Sequence, residues 1–309
     1  MRVLVTGSAG RLGRTTAAAL TASGHDVIGA DRALGGLRGL DERAIDLTDE
    51  ASVTALLDDA RPEAVVHLAG ISVPFSAPER QILLTNTAIA HTVFSAAAAT
   101  GVERVLAASS PTVLGYGLPG WRAAAVPLDE THPVAPTHAY ALSKAVIEEL
   151  VRAFSRSAPG AFGFFRPCYI VSPEEWAGAP TQQGHTIVER LADPALAAVS
   201  LFNYVDARDA AEFIHTWLAA PSEVVDGEGF FVGAADALAV RPIADLWREF
   251  APALGAGADR MTGPSAVFST AKAERLLGWR ARRGWRDQLP PEASAALAAA
   301  PTTQPAPSA

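Results

Sequence analysis

Tyr140 and Lys144 stand four residues apart in His138–Ser157, a stretch whose spacing predicts a helix, so both side chains share one face. A tyrosine with an ordinary pKa of about 10 is a poor base at neutral pH. A cation beside it stabilises the phenolate and lowers that pKa. Lysine can do this and can also hydrogen-bond a ribose. The chain has four tyrosines but only two lysines, Lys144 and Lys272, against 23 arginines. Chance alone yields such a pair in about 0.03 of chains of this composition. The alternative is an incidental surface pair. Ser109 and Ser110 close a predicted strand, Glu103–Ser109. A serine hydroxyl at the carboxyl edge of a parallel sheet can hold a reacting hydroxyl or carbonyl near a tyrosine.

A second constellation is the run Thr6-Gly7-Ser8-Ala9-Gly10-Arg11-Leu12-Gly13, with glycines spaced G-x-x-G-x-x-G. Gly7 suits a tight turn, Gly10 a close approach to a pyrophosphate, and Gly13 close packing of helix on strand. The helix that opens there offers free N–H groups to phosphates. Asp31 ends the next strand, 18 residues after Gly13, where an acid can accept from both ribose hydroxyls of an adenosine. That favours NAD over NADP. Arg32 beside it can pair with a 2′-phosphate and weakens the preference. Asp46 can accept from an adenine amino group or serve as a loop or capping acid.

These residues need a scaffold, and the hydrophobic pattern supplies one. Predicted strands are Arg2–Thr6, His25–Ala30, Arg43–Asp46, Glu63–Leu68, Glu103–Ser109 and Phe162–Arg166. Predicted helices are Leu12–Ser23, Thr48–Asp59 with Thr48 as N-cap, Pro78–Thr100 and His138–Ser157. Alternation of this kind predicts an α/β fold, a Rossmann-like doubly wound parallel sheet with a small C-terminal substrate region. The rhythm breaks after Pro167 and resumes with a helix over Asp206–Ala219 and a strand over Gly229–Val232. The expected division is a dinucleotide-binding unit over 1–171, completed by about 205–232. A substrate region follows from 172–204 and 233–289. Residues 290–309, where 13 of 20 are Ala or Pro, read as a disordered tail with a possible short helix over Glu292–Ala300.

Composition narrows the function. Lys plus Arg is 25 and Asp plus Glu is 33, a net charge of −8. With no basic run, nucleic acid and anionic membrane surfaces are poor partners. Cys168 is the only cysteine, which excludes an internal disulfide and a multi-cysteine zinc site; no metal is expected. No uninterrupted apolar run reaches the length of a transmembrane helix, and MRVLVTG lacks the pattern of a signal peptide. The chain reads as cytoplasmic.

Taken together, Thr6–Gly13, His67-Leu68-Ala69-Gly70, Asn86, Ser109–Gly115 and Tyr140–Lys144 resemble an extended short-chain dehydrogenase/reductase, the superfamily of sugar-nucleotide epimerases and dehydratases. The likeness continues through Asp129–Pro133, Arg166-Pro167, Tyr204–Ala211 and Ser269–Trp279, so it covers about residues 1–285. It implies Ser110, Tyr140 and Lys144 as the catalytic three. It implies a cofactor site from Gly7, Ala9, Gly10, Arg11, Leu12, Gly13, Asp31, Arg32, Asp46, Leu47, Leu68, Ala69, Gly70, Asn86, Tyr140, Lys144 and Pro167. Ser72, Ser110, Thr112, Tyr140 and Tyr169 are expected to meet the substrate. A homodimer is the family expectation.

The chain departs from the sugar-nucleotide members in two places. The segment after the sixth strand, Arg166-Pro167-Cys168-Tyr169-Ile170-Val171-Ser172-Pro173, lacks their Asn and Gly. Leu201-Phe202-Asn203 replaces their usual Arg-Asp pair, and residues 172–204 hold Arg190 as the one fixed positive charge. A nucleoside diphosphate needs cationic or N–H partners. Gly70–Val73, Arg80–Leu83 and Asn86 look like the uronate dehydrogenase branch, yet Ser110-Pro111-Thr112 replaces its Ser-Asn-His and its carboxylate-binding Arg has no clear match. Phe75, Trp121, Tyr169 and Trp176 can wall a pocket or simply pack the core. The expectation is therefore NAD-dependent hydride transfer at a secondary alcohol or ketone of a sugar-like small molecule. The alternatives are an epimerase that recycles a bound NAD, and a regulatory protein that binds NAD(P)H without turnover.

Overall fold

The computed structural model describes residues 1–37, 39–117, 120–293 and 297, with the side chains of 255, 256, 258 and 260 outside that description. Seven strands form one parallel sheet: β1 (Arg2–Thr6), β2 (Asp26–Asp31), β3 (Asp41–Ala44), β4 (Ala64–His67), β5 (Arg104–Ala108), β6 (Ala161–Pro167) and, last in the sheet, Gly229–Val232. Between them in sequence, β7 (Tyr169–Val171) and β8 (Tyr204–Asp206) make a separate parallel pair, so the seventh sheet strand is β9. The sheet order is β3-β2-β1-β4-β5-β6-β9. Order reverses between β1 and β4, and a doubly wound sheet opens its ligand crevice at that switch, outside the carboxyl ends of the strands.

Burial explains the central strands. Val3, Leu4 and Val5 of β1 and Ala64, Val65 and Val66 of β4 are fully buried on both faces, as a sheet covered by helices requires. The covering helices are α1 (Arg11–Ala22), α2 (Glu50–Ala60), α3 (Glu79–Ala99) and α4 (Ala139–Ser157). By length and composition α3 is apolar enough to cross a membrane. Its Ile82, Ala90, Val93, Phe94 and Ala97 are wholly buried instead, and it packs along α4, which is the position of a core helix.

Two local expectations are corrected. The third strand is shifted to Asp41–Ala44 because it is an exposed edge strand with no apolar face to fix its limits. Thr48 does not cap α2. Asp49 does, its carboxylate accepting from the Ser52 N–H, while Thr48 donates to Asp46 at 2.9 Å from nitrogen and 2.8 Å from oxygen. A carboxylate one residue nearer the helix is simply the better acceptor there.

Beyond β7 come three short helices, α5 (Pro173–Trp176), α6 (Ile187–Ala192) and α7 (Pro194–Ala198), then α8 (Ala207–Ala219), which packs on α1. A satellite core joins Val171, Trp176, Ile187, Leu191, Tyr204, Leu238 and Trp285, and Leu289 and Leu297 pack into it. Pro291–Ala293 is helical, and the rest of the expected tail, 294–296 and 298–309, lies outside the described residues.

Candidate active site

A cavity of about 750 Å³ opens at the carboxyl edge of the sheet. One end is built by the glycine turn. Gly7 is left-handed at φ 74°, and a Cβ there would lie 2.7 Å from the Ala69 nitrogen. A Cβ on Gly13 would lie 2.0 Å from the Gly7 carbonyl oxygen, so no side chain fits where α1 meets the turn. Gly7, Gly10, Arg11, Leu12 and Gly13 line the cavity. The N-terminus of α1 has no side-chain cap and no acid in its first turn, which leaves its N–H groups for an anion. Asp31, Arg32, Asp46 and Leu47 continue this end. The Asp31 carboxylate accepts from the Ala9 N–H at 3.1 Å and the Arg32 N–H at 2.7 Å. Ala9 therefore acts through Asp31, since it is not itself part of the lining.

Leu68, Ala69 and Gly70 form the next stretch of wall. His67 turns into the sheet, its Nδ1 2.9 Å from the Thr6 hydroxyl, and burial drives its pKa down to about 3, so the ring is neutral. Asn86 does not reach the cavity. Its side chain accepts from the Ile71 N–H at 2.7 Å and donates to the Ile71 carbonyl at 3.1 Å and the Ser143 hydroxyl at 3.1 Å. Ser143 in turn donates to the Tyr140 carbonyl at 2.7 Å. Asn86 thus ties the loop after β4 to the first turn of α4.

Ser110, Tyr140 and Lys144 meet in the middle of the cavity. Tyr140 and Lys144 come from the first turns of α4, which is capped by His138. Burial pushes the Tyr140 phenol up to about 12, against a hydrogen bond with Ser110 that pulls it down. Burial also lowers the Lys144 ammonium to about 8. Burial is the larger influence on the phenol in this geometry. Lys144 donates to the Ala108 carbonyl at 2.8 Å and its nitrogen stays 5.8 Å from the Tyr140 ring centroid, so desolvation prevails.

The two serines part company. Ser109 donates to Glu148 at 2.6 Å, one turn beyond Lys144, and Arg166 grips the same carboxylate at 2.7 and 2.8 Å. All three are buried, and Glu148 and Arg166 lie outside the cavity lining. Both serines line the cavity, but only the Ser110 hydroxyl is free of the Glu148 carboxylate, its oxygen accepting from Thr112 Oγ1 at 2.9 Å.

The expected substrate residues Ser72, Thr112 and Tyr169 line the far end, and Pro167, expected at the cofactor, also lines the cavity. The wall also includes His138, the N-cap of α4, and Tyr116, Gln182, Gln183, Ser200 and Asn203, which sequence reasoning missed because they arrive on separate loops. Phe75 lines the mouth, whereas Trp121 donates to the Leu114 carbonyl at 2.8 Å and Trp176 to Asp206 at 2.8 Å, both outside the lining. Leu201 and Phe202 are left-handed at φ 51° and 61°, and Asn203 braces them by donating to the Ser200 and Leu201 carbonyls. Backbone strain of this kind collects at functional sites. Arg190 is fully buried behind this wall and does not line it. It donates to Gln183 and Ser200, each at 2.8 Å, and lies 4.0 Å over the Tyr169 ring. No acidic residue faces it within salt-bridge distance among the described residues, and burial lowers its pKa to about 10.

UDP-glucose 4-epimerase of Corynebacterium glutamicum is 27% identical over 304 residues, covering 90% of each chain. The Azospirillum brasilense UDP-glucose 4-epimerase is 34% identical over 158 residues, 49% of this chain and 44% of that one. Among solved structures, a short-chain dehydrogenase/reductase superfamily protein from Agrobacterium tumefaciens with bound NAD superposes with a TM-score of 0.71 at 23% identity, covering 96% and 97% of the two chains. UDP-glucose 4-epimerase of Thermotoga maritima with UDP-glucose gives 0.70 at 18% identity, covering 96% and 98%. The fold is therefore that of the extended short-chain dehydrogenase/reductases. The profile of the NAD dependent epimerase/dehydratase family matches residues 3–233. With that match over most of its length, the chain is an enzyme that belongs to the NAD dependent epimerase/dehydratase family.

Proposed function

We propose that this enzyme moves a hydride between NAD and a secondary alcohol or ketone of a sugar-like small molecule that carries no nucleoside diphosphate. The observation that carries the reading is the distribution of charge in the cavity. Its charged lining residues, Arg11, Asp31, Arg32, Asp46 and Lys144, gather where a dinucleotide would lie and at the reacting centre. Beyond Tyr140 the wall offers hydroxyls, amides and aromatic rings, and Val199, Ser200 and Asn203 of the lining there carry no charge. A diphosphate there would find no guanidinium in the lining.

The residues fit NAD. The glycine turn leaves room that a Cβ would fill, the α1 N-terminus is free for a pyrophosphate, and Asp31 offers a carboxylate for ribose hydroxyls. Bound NAD would supply the hydride acceptor and donor at its nicotinamide ring. The protein handles the proton. Tyr140 takes the substrate hydroxyl proton at its phenolate oxygen, or returns it to a ketone oxygen in the reverse direction. Ser110 holds the reacting oxygen beside it. Lys144 stabilises the phenolate, which burial alone would disfavour, and fixes a ribose. Proline and threonine at 111 and 112, beside Ser110, supply no second acid/base pair, which disfavours dehydration.

The test is the nucleotide content of the purified enzyme after denaturation. Little released NAD, with micromolar rebinding, supports an exchangeable cosubstrate. Near-stoichiometric NAD supports the second reading, an epimerase that returns the hydride to its own substrate. The full-length likeness to a UDP-glucose 4-epimerase favours that alternative.

A further inference from the structure

Arg11 belongs to the glycine turn, yet its side chain does not rest there. One nitrogen donates to the Glu175 carboxylate at 2.6 Å and another to the Pro180 carbonyl at 3.2 Å, bridging 164 and 169 residues of sequence. The Glu175 side chain is 1% exposed. Its second oxygen accepts from the Ser172 N–H at 2.7 Å, closing the cap of α5. Segment 172–183 is therefore a strap that runs from Arg11, at the cofactor end, to Gln182 and Gln183 in the far wall of the cavity. Its base is fixed where Trp176 donates to Asp206 at 2.8 Å. Its tip touches the opposite wall, with Gln182 Oε1 3.5 Å from the Ser72 hydroxyl. Arg11 faces two claims at once: the strap, and the phosphates expected at the α1 N-terminus.

We propose that the Arg11–Glu175 pair is a latch that holds residues 172–183 across the cavity and sets how fast NAD leaves. A guanidinium fork can serve a carboxylate and a phosphate on different N–H groups, so a bound pyrophosphate joins the two halves rather than parting them. Glu175 is a positioning residue, acting through Arg11 and touching no cofactor atom. The inference rests on cofactor binding and is independent of the substrate.

The test is stopped-flow release of NADH from the purified enzyme, without substrate. Glu175→Gln keeps an acceptor for Ser172 but removes the charge from the latch. A latch predicts release about tenfold faster with little change in the association rate. If Glu175 merely competes with pyrophosphate for Arg11, the same change frees the cation and release slows; that result overturns the proposal, as does an unchanged rate. Arg11→Lys provides a second test should Glu175→Gln fail to fold. It keeps a cation at the phosphates but loses the fork, and it too should release NADH faster. A rate within twofold of the parent contradicts the latch. Either failure leaves the role of Tyr140 untouched, because that role is read in turnover.

Discussion

Lys144 and Ala108 are joined by a 2.8 Å hydrogen bond from the buried ammonium to the last carbonyl of β5. The bond couples the helix that bears Tyr140 to the strand end that bears Ser110, and it holds the cation 5.8 Å from the Tyr140 ring centroid. Burial pushes the phenol up to about 12.

Tyr140→Phe removes the proton carrier and leaves the ring packing in place. NADH binding should stay within about threefold of the parent, while turnover falls by about 10²–10⁴, the range general acid–base groups supply. Steady-state kinetics with parallel NADH titration checks both halves. Near-normal turnover would remove Tyr140 from the mechanism.

Asp31→Ala tests the cofactor end. A carboxylate that accepts from ribose hydroxyls contributes about 1.5–3 kcal/mol, so NAD should weaken by about 10- to 100-fold. NADP should weaken less, because the substitution also lifts repulsion of its 2′-phosphate. Equal losses for both, measured by calorimetry, would contradict the assigned role.

Gly13→Ala tests the turn itself. The added Cβ would sit 2.0 Å from the Gly7 carbonyl, a backbone atom that cannot swing aside. Overpacking of this kind costs about 1–3 kcal/mol. The expected outcome is a lower melting temperature together with loss of NADH binding, and unchanged binding would show that the turn does not cradle the cofactor.

His67 gives a pH signature. Its folded pKa is lowered to about 3 by burial, below the unfolded value of 6.5. Between those values the unfolded chain binds a proton that the folded chain refuses, so this group's contribution is present above 6.5 and lost as pH falls toward 3. His67→Gln removes the titration. The stability gap between parent and variant in urea melts should therefore shrink by about 1 kcal/mol per pH unit across that window. A gap independent of pH would mean that His67 titrates normally.

The legible part of this protein is the part governed by local rules. β1 and β9 fall on their predicted residues, because short β-branched or aromatic runs bounded by turn residues leave little freedom. The glycine spacing and the Tyr140–Lys144 pair were readable since one depends on sterics and the other on helical period. Edge strand β3 was misplaced, having no buried face to mark it. The substrate end was illegible for a different reason. Gln182, Ser200 and Asn203 are brought together only by tertiary packing, and no periodicity signals a loop. Nor does sequence reveal that Arg190, the one cation in its region, points inward to neutral partners.

The central claim concerns what enters that uncharged end. The direct measurement is NADH absorbance when the enzyme and NAD meet free neutral sugars and, separately, UDP-glucose. The account predicts NADH accumulating with a free sugar and none with UDP-glucose. Conversion of UDP-glucose to UDP-galactose without net NADH would contradict it and establish an epimerase.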